Sequence, residues 1–198
     1  MMANTPTDVA YLALDIETTG LDPQKDQILE VAWKALDPSL SVMEGFDFSA
    51  VVGLTTAGWD RLSSAPEVVR NMHSTSGLLG DVLAAKKDLA HVGYHLGQTL
   101  FRLHKDFDRV HLLGMSIHFD AEFLKANGFG SCFDDSSGIH HRMYDLSSVK
   151  LALAQSGIEY PQAAKGNHRA AADVDEAIEQ ARMFHGFFSA TLATEAAP

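Results

Sequence analysis

The pattern of apolar and polar positions changes period once along this chain. Residues 9–16 are apolar on both faces, as in a strand at the centre of a sheet. "LDPQKD" at 21–26 then carries a turn signal in Asp22-Pro23. Residues 28–36 alternate, with Leu29, Val31, Trp33 and Ala35 on one side and Glu30 and Lys34 on the other. A third strand falls within 43–52, and the short connections predict an antiparallel meander.

Beyond that point the period lengthens. Across 81–105, Leu89, Val92, Leu96, Leu100 and Leu103 recur at three- and four-residue steps and predict one long amphipathic helix. Residues 109–115 read as a buried strand, and 120–127 as a short helix stopped at Asn127-Gly128. Helices follow over 146–155, ended by Gly157, and over 169–188, with Val174, Ala177, Ile178, Ala181 and Phe184 on one face. Strands first, then helices alternating with strands, give an α/β mixed sheet covered by helices. One domain is expected over 9–189, between flexible tails at 1–8 and 190–198.

Composition narrows the setting. The one cysteine, Cys132, allows no internal disulfide and fits a reducing compartment. The first eight residues lack a basic region and an apolar core, and no apolar stretch is long enough to span a bilayer. A cytoplasmic protein with no membrane partner is expected. Fifteen basic against 26 acidic residues give a net charge of -11, which argues against a long basic track for duplex nucleic acid. A nucleic-acid substrate remains compatible, because metal ions can bring phosphate to carboxylates.

Three segments hold candidate chemistry, and each has an ordinary reading beside the functional one. Asp15 and Glu17 end the first apolar run and share a strand face. They are either a strand end meeting solvent or a pair that needs a dication to offset its repulsion. Asp120 starts a helix, where it favours the N-terminus by capping or by charge. His168 precedes the last helix, with Asp173 five residues later beside the apolar face; Asp175, Glu176 and Glu179 suit solvated positions. His140 and His141 lack further ligands at zinc spacing and read as surface or interface residues.

Together, "DIETTG" (15–20), "SIHFDAEFL" (116–124) and "HRAAADVDEA" (168–177) resemble, in order and spacing, the three motifs of the DEDDh 3′-to-5′ exonucleases. Within that family "LDIETTGLDPQKDQILEVA", "HSTSGL" (73–78), "GMSIHFDAEFL" and "HHRMYDLSSVK" (140–150) resemble oligoribonuclease segments. Met115 stands where those proteins usually have Asn and Met143 where they have Tyr; the Trp before the "HTASGL"-type stretch has no clear match. The resemblance covers about 11–188. It implies the RNase H-like (DnaQ-like exonuclease) fold, a mixed five-stranded sheet with a three-stranded antiparallel meander.

By the same resemblance, Asp15, Glu17, Asp120 and Asp173 would hold two Mg²⁺ or Mn²⁺ ions, and His168 would be the base, on a loop that Gly166 helps to move. Leu21 would pack on the terminal base. Thr18, Thr19, His73, Ser76 and Ser116 would lie near the substrate, and Lys165 and Arg169 are either phosphate contacts or solvated charges. The implied reaction is hydrolysis of short single-stranded RNA or DNA oligonucleotides to 5′-mononucleotides by a homodimer. A proofreading or repair exonuclease on longer single strands is the alternative. A non-catalytic nucleic-acid-binding module is a third class, which the complete acidic set with His168 argues against.

Overall fold

The computed structural model describes residues 9–133 and 138–195, with side chains through residue 190. The segment 1–8 expected as a tail lies outside the described residues. Five strands form one sheet: β1 (Val9–Thr18), β2 (Ile28–Leu36), β3 (Phe48–Val51), β4 (Arg109–Gly114) and β5 (Tyr144–Asp145). Their spatial order is β3-β2-β1-β4-β5. β1, β2 and β3 make the antiparallel meander, while β4 lies parallel to β1 and β5 parallel to β4. The helices are α1 (Thr56–Ser64), α2 (Glu67–Thr75), α3 (Leu78–Ala84), α4 (Leu89–Leu103), α5 (Ile117–Leu124), α6 (Leu146–Gln155) and α7 (Ala170–Glu195).

The double-sided burial of β1 follows from its sequence. Leu12, Leu14 and Ile16 join a core with Val92, Leu96 and Leu100 of α4 and Phe123 of α5. Trp33 completes that core, stacked on Phe48 with centroids 4.2 Å apart. Its indole N–H donates to Thr99 Oγ1 at 3.3 Å, so a fully buried ring leaves no donor unmet. On the other face Ala13 and Ala32 meet Val174, Ala177, Ile178 and Phe184 of α7. Alanines on both sides let the helix backbone approach the sheet closely. Asp15 and Glu17 continue the face that carries Ala13, so α7 covers the edge of the carboxylate pair.

Several boundaries differ from those read off the pattern. The helix expected over 81–105 is two helices, because Lys87 pairs with Val52 as a β-bridge and Asp88 starts α4 afresh by accepting the His91 N–H at 2.9 Å. Helices α1 and α2 have no counterpart in the pattern read along the chain; few of their residues are buried, Gly58 and Leu62 in the first and His73 in the second. The helix around Asp120 begins three residues earlier, at Ile117, after a left-handed Ser116 (φ 51°). The last helix continues past 188 to Glu195 instead of giving way to a tail at 190. His140, read as a surface or interface residue, is buried, and its ring stacks on His141 with centroids 4.2 Å apart. No helix among the described residues is long and apolar enough to cross a membrane.

The close α7–sheet contact gives a test. Ala177→Leu adds bulk where the helix is 2% exposed against Ala13 and Ala32. It should cost about 1–3 kcal/mol of unfolding free energy by overpacking, read by urea denaturation. Activity should fall with it, because Asp173 rides on the same helix. A wild-type midpoint would show that this interface has slack.

Candidate active site

The chain brings its acidic residues together at the end of β1. The ladder between β1 and β4 ends at Ala13–Leu113, where Gly114 passes so close to β1 that a Cβ would sit 2.9 Å from the Leu14 carbonyl oxygen. Beyond that point the Ile16 N–H donates to Asp120 Oδ1 at 2.9 Å. Asp120 is thereby fixed between Asp15 and Glu17 rather than left as a helix-starting charge. Across the other edge Glu17 lies opposite Glu30 of β2. Donor atoms of Glu17, His168 and Asp173 fall within 4.8 Å of one another. Asp15, His168 and Asp173 also line a cavity of about 140 Å³ with Lys165, Gly166 and Glu176.

Burial and crowding move the pKa values of this set upward. Asp15 is raised well above the usual carboxylate range by burial and then by Asp120, Glu17 and Asp173. Asp120 is raised by burial, against the opposing Ile16 hydrogen bond. Glu17 is pushed up to about 7 by burial, then by Asp173 and Glu30, with Arg169 opposing. Asp173 rises mainly through burial. A cluster so reluctant to ionise is what a bound cation would relieve. Its oxygen-rich donor set suits a hard dication, so the residues present fit a metal centre.

His73 stands directly behind this cluster. It is fully buried, and its Nε2–H donates to the Thr18 carbonyl at 2.9 Å. Its Nδ1 has no hydrogen-bond partner and lies 3.7 Å from Glu17 Oε2. Burial pushes its pKa down, which keeps the ring neutral beside Glu17. With no exposed surface, His73 supports the Glu17 strand from behind and offers substrate nothing to touch.

A buried ion pair ties the last helix to the meander. The alternating pattern of β2 put Glu30 with Lys34 on a polar side, yet Glu30 is only 3% exposed. Arg169 grips it with two bonds, Nε to Oε2 at 3.1 Å and Nη2 to Oε1 at 3.0 Å. The Ala170 N–H at the start of α7 also donates to Glu30 Oε2, at 3.0 Å. Arg169 further reaches Asp81 at 2.8 Å. The choice between phosphate contact and solvated charge therefore resolves differently for Arg169, which is committed to carboxylates. Lys34, for its part, pairs with Asp175. The sequence signal for the Glu30 pair was present but weak: two glutamates face each other across the meander and need a cation.

The remaining residues sit around this centre. Leu21 is 80% exposed and lines a cavity of about 490 Å³ with Arg61, Ala65, Pro66 and Val68. Val68 also borders a second cavity, of about 980 Å³, lined by Met72, Ser76, Asn167 and His168. Thr18 and Thr19 are buried and turned into their own turn. Thr18 Oγ1 donates to the Gly20 carbonyl at 2.6 Å, and Thr19 Oγ1 donates to Asp26 at 3.1 Å while accepting the Gln27 N–H at 3.0 Å. Ser116 Oγ donates to Ser147 Oγ on α6 at 3.0 Å. Glu176, expected in solvent, accepts the Gly166 N–H at 2.5 Å. His168 is exposed and left-handed (φ 60°), an uncommon backbone state for a non-glycine residue that the loop has to hold in place.

A meander extended by parallel strands, with carboxylates at the end of its central strand and helices on both faces, is the RNase H-like fold in its DnaQ-like exonuclease form. Solved structures agree on the fold. Exonuclease I with bound product superposes with a TM-score of 0.62 at 16% identity, over 89% of this chain and 43% of that one. E. coli exonuclease I in complex with a dT13 oligonucleotide gives 0.63 at 17%, over 88% and 40%. This chain thus spans about two fifths of exonuclease I. No protein-family model matches the sequence. An oligoribonuclease of Streptomyces avermitilis is 36% identical over 178 residues, 86% of this chain and 82% of that protein. An oligoribonuclease of Mycobacterium leprae is 33% identical over 175 residues, 86% of this chain and 77% of that protein. The chain belongs to the oligoribonuclease family.

The raised pKa values set a pH dependence with a definite sign. Between the usual carboxylate range and about pH 7 the metal-free folded protein holds protons that the unfolded chain has released. Its stability therefore falls as pH rises through that window. For Glu17, moved from 4.5 to about 7, the effect is on the order of 3 kcal/mol. Mg²⁺ or Mn²⁺ should raise the melting temperature strongly at pH 8 and little at pH 5. Thermal unfolding in EDTA and in excess cation checks this, and equal shifts at both pH values would rule out a cation in the cluster.

Proposed function

We propose that this chain is a 3′-to-5′ exonuclease that hydrolyses short single-stranded oligonucleotides and releases 5′-mononucleotides. The observation that carries the reading is the convergence of Glu17, His168 and Asp173 beside half-buried Asp15 and buried Asp120, in a member of the oligoribonuclease family. Asp15, Glu17, Asp120 and Asp173 would hold two Mg²⁺ or Mn²⁺ ions, which when bound supply Lewis acidity to the phosphate, the attacking water and the leaving oxygen.

The protein's own residues supply position and proton transfer. His168, exposed at the rim, takes a proton from the water that attacks the terminal phosphorus. The bond from phosphorus to the 3′ oxygen of the preceding nucleotide breaks, and that oxygen gains a proton from solvent. Leu21 offers an exposed apolar surface to the terminal base at the edge of the first cavity, which Thr19 also lines, and Ser76 lines the second. Ser116, paired with Ser147, lies on the α5 side of the acidic centre. His73 and Thr18 are buried and line neither cavity, so they act from beneath.

Short substrates follow from the charges around the site. Arg61 and Arg169 are engaged by Asp26 and by Glu30 with Asp81. Lys165 lines the acidic cavity and is the cation best placed for a phosphate. A long strand gains affinity from many such contacts, each adding to the salt dependence. Catalytic efficiency should accordingly peak at about two to five nucleotides, with a shallow salt slope. Measuring kcat/KM on RNA and DNA ladders of two to thirty nucleotides at two salt concentrations checks this, with Asp15→Asn as the inactive control. A steady rise to thirty nucleotides with a steep salt slope would favour the proofreading or repair reading. Nearly normal turnover in Asp15→Asn would remove that residue from the metal set.

The homodimer belongs to the same proposal, on the likeness of the 140–150 segment to the oligoribonucleases. Light scattering at micromolar protein should give about twice the 21.5 kDa of one chain. A mass of one chain would refute it.

A further inference from the structure

The segment 161–168 leads into α7 and ends at His168. It has no helix or strand of its own, and most of its residues are exposed. What holds it is one stripe of α7. The His168 backbone N–H faces the Asp173 carboxylate and lowers its pKa. The Gly166 N–H donates to Glu176 Oε2 at 2.5 Å. The Ala163 N–H donates to Gln180 Oε1 at 3.2 Å, and Gln180 Nε2 donates to the Pro161 carbonyl at 2.9 Å. Positions 173, 176 and 180 follow helical spacing, so the three side chains form one row and the loop runs back along them. Contact is close: a Cβ on Gly166 would lie 1.7 Å from Asp173 Oδ1.

Gln180 is the unexpected member of the row. It is fully buried, on the helix face that also buries Ala177, Ala181 and Phe184. A buried amide is costly unless both of its polar atoms are met, and an apolar residue would fill the position at less risk. Both atoms are met by loop backbone. Asp173 and Glu176 line the acidic cavity, so their hold on the loop cannot be separated from their charge. Gln180 is neutral and lies about two turns further along the helix from Asp173, roughly 10 Å.

We propose that Gln180 is a positioning residue: by holding Pro161 and Ala163 it fixes the far end of the loop and thereby the place of His168 against Glu17 and Asp173. This rests on His168 being the base. Gln180 touches neither substrate nor metal on this reading, so its loss should slow the proton-transfer step while leaving binding intact.

The test is a double-mutant cycle on the full-length protein with a dinucleotide and saturating Mg²⁺. Gln180→Leu keeps the bulk and removes both loop bonds. It should lower kcat by about 10- to 100-fold, as expected for a displaced catalytic group, with KM changed less than twofold. In the His168→Ala background the same change should lower kcat no further, because there is no base left to misplace. If Gln180→Leu does not fold, Gln180→Glu carries the comparison, since it keeps the acceptor for Ala163 and loses the donor to Pro161. An equal loss in both backgrounds, or a rise in KM that accounts for the loss, would overturn the positioning role. So would wild-type kcat in a folded Gln180 variant beside a slow His168→Ala. Wild-type kcat in His168→Ala itself would overturn the base assignment, and this proposal with it.

Discussion

Repulsion among carboxylates crowded at the end of the central strand is the constraint that the rest of this structure answers. Asp15, Glu17, Asp120 and Asp173 are buried or half-buried, and each has its pKa raised. Glu30 adds a further negative charge directly across the meander from Glu17. The fold offers specific offsets: the Ile16 N–H for Asp120 and the Arg169 guanidinium for Glu30. These hold the protein together around the cluster without neutralising it. The remaining imbalance is one that a bound cation would offset.

The Glu30–Arg169 pair shows how one contact serves both architecture and chemistry. Breaking a buried, doubly bonded pair by removing one partner is far more damaging than never having had it. Here the pair also fixes the start of α7, because Ala170 shares the same carboxylate. His168 precedes Arg169 and Asp173 lies one turn into the helix. The two parts of the site furthest from β1 in sequence are thus anchored to β2, the strand beside it. Asp81 extends the anchor to α3, so the start of α7 is held from two elements.

The likeness to exonuclease I is one of fold, at 16% identity over 89% of this chain. This chain spans two fifths of that protein and presents few uncommitted cations around its acidic centre. The oligoribonucleases match it along most of their length. An exposed Leu21 beside two neighbouring cavities, joined at Val68, makes a small apolar entry instead of a basic track.

Sequence alone determined the parts whose cause is local. β1 was legible as central because it is apolar on both sides. The helix over 146–155 was legible because Asp145 caps it through the Ser147 and Ser148 N–H groups and Gly157 ends it at a positive φ. The carboxylates and His168 were legible from motif spacing. Tertiary structure decided what depends on partners far along the chain. Glu30 looked solvated until Arg169, 139 positions away, was brought to it. Gln180 is a polar helix residue whose burial depends on the loop that folds back on it. α1, α2 and the two-residue β5 are short and bury few side chains. The break between α3 and α4 comes from a bridge to Val52 that no local pattern contains. Periodicity records which side of an element is apolar; it holds no record of which distant charge will make a polar residue fit inside.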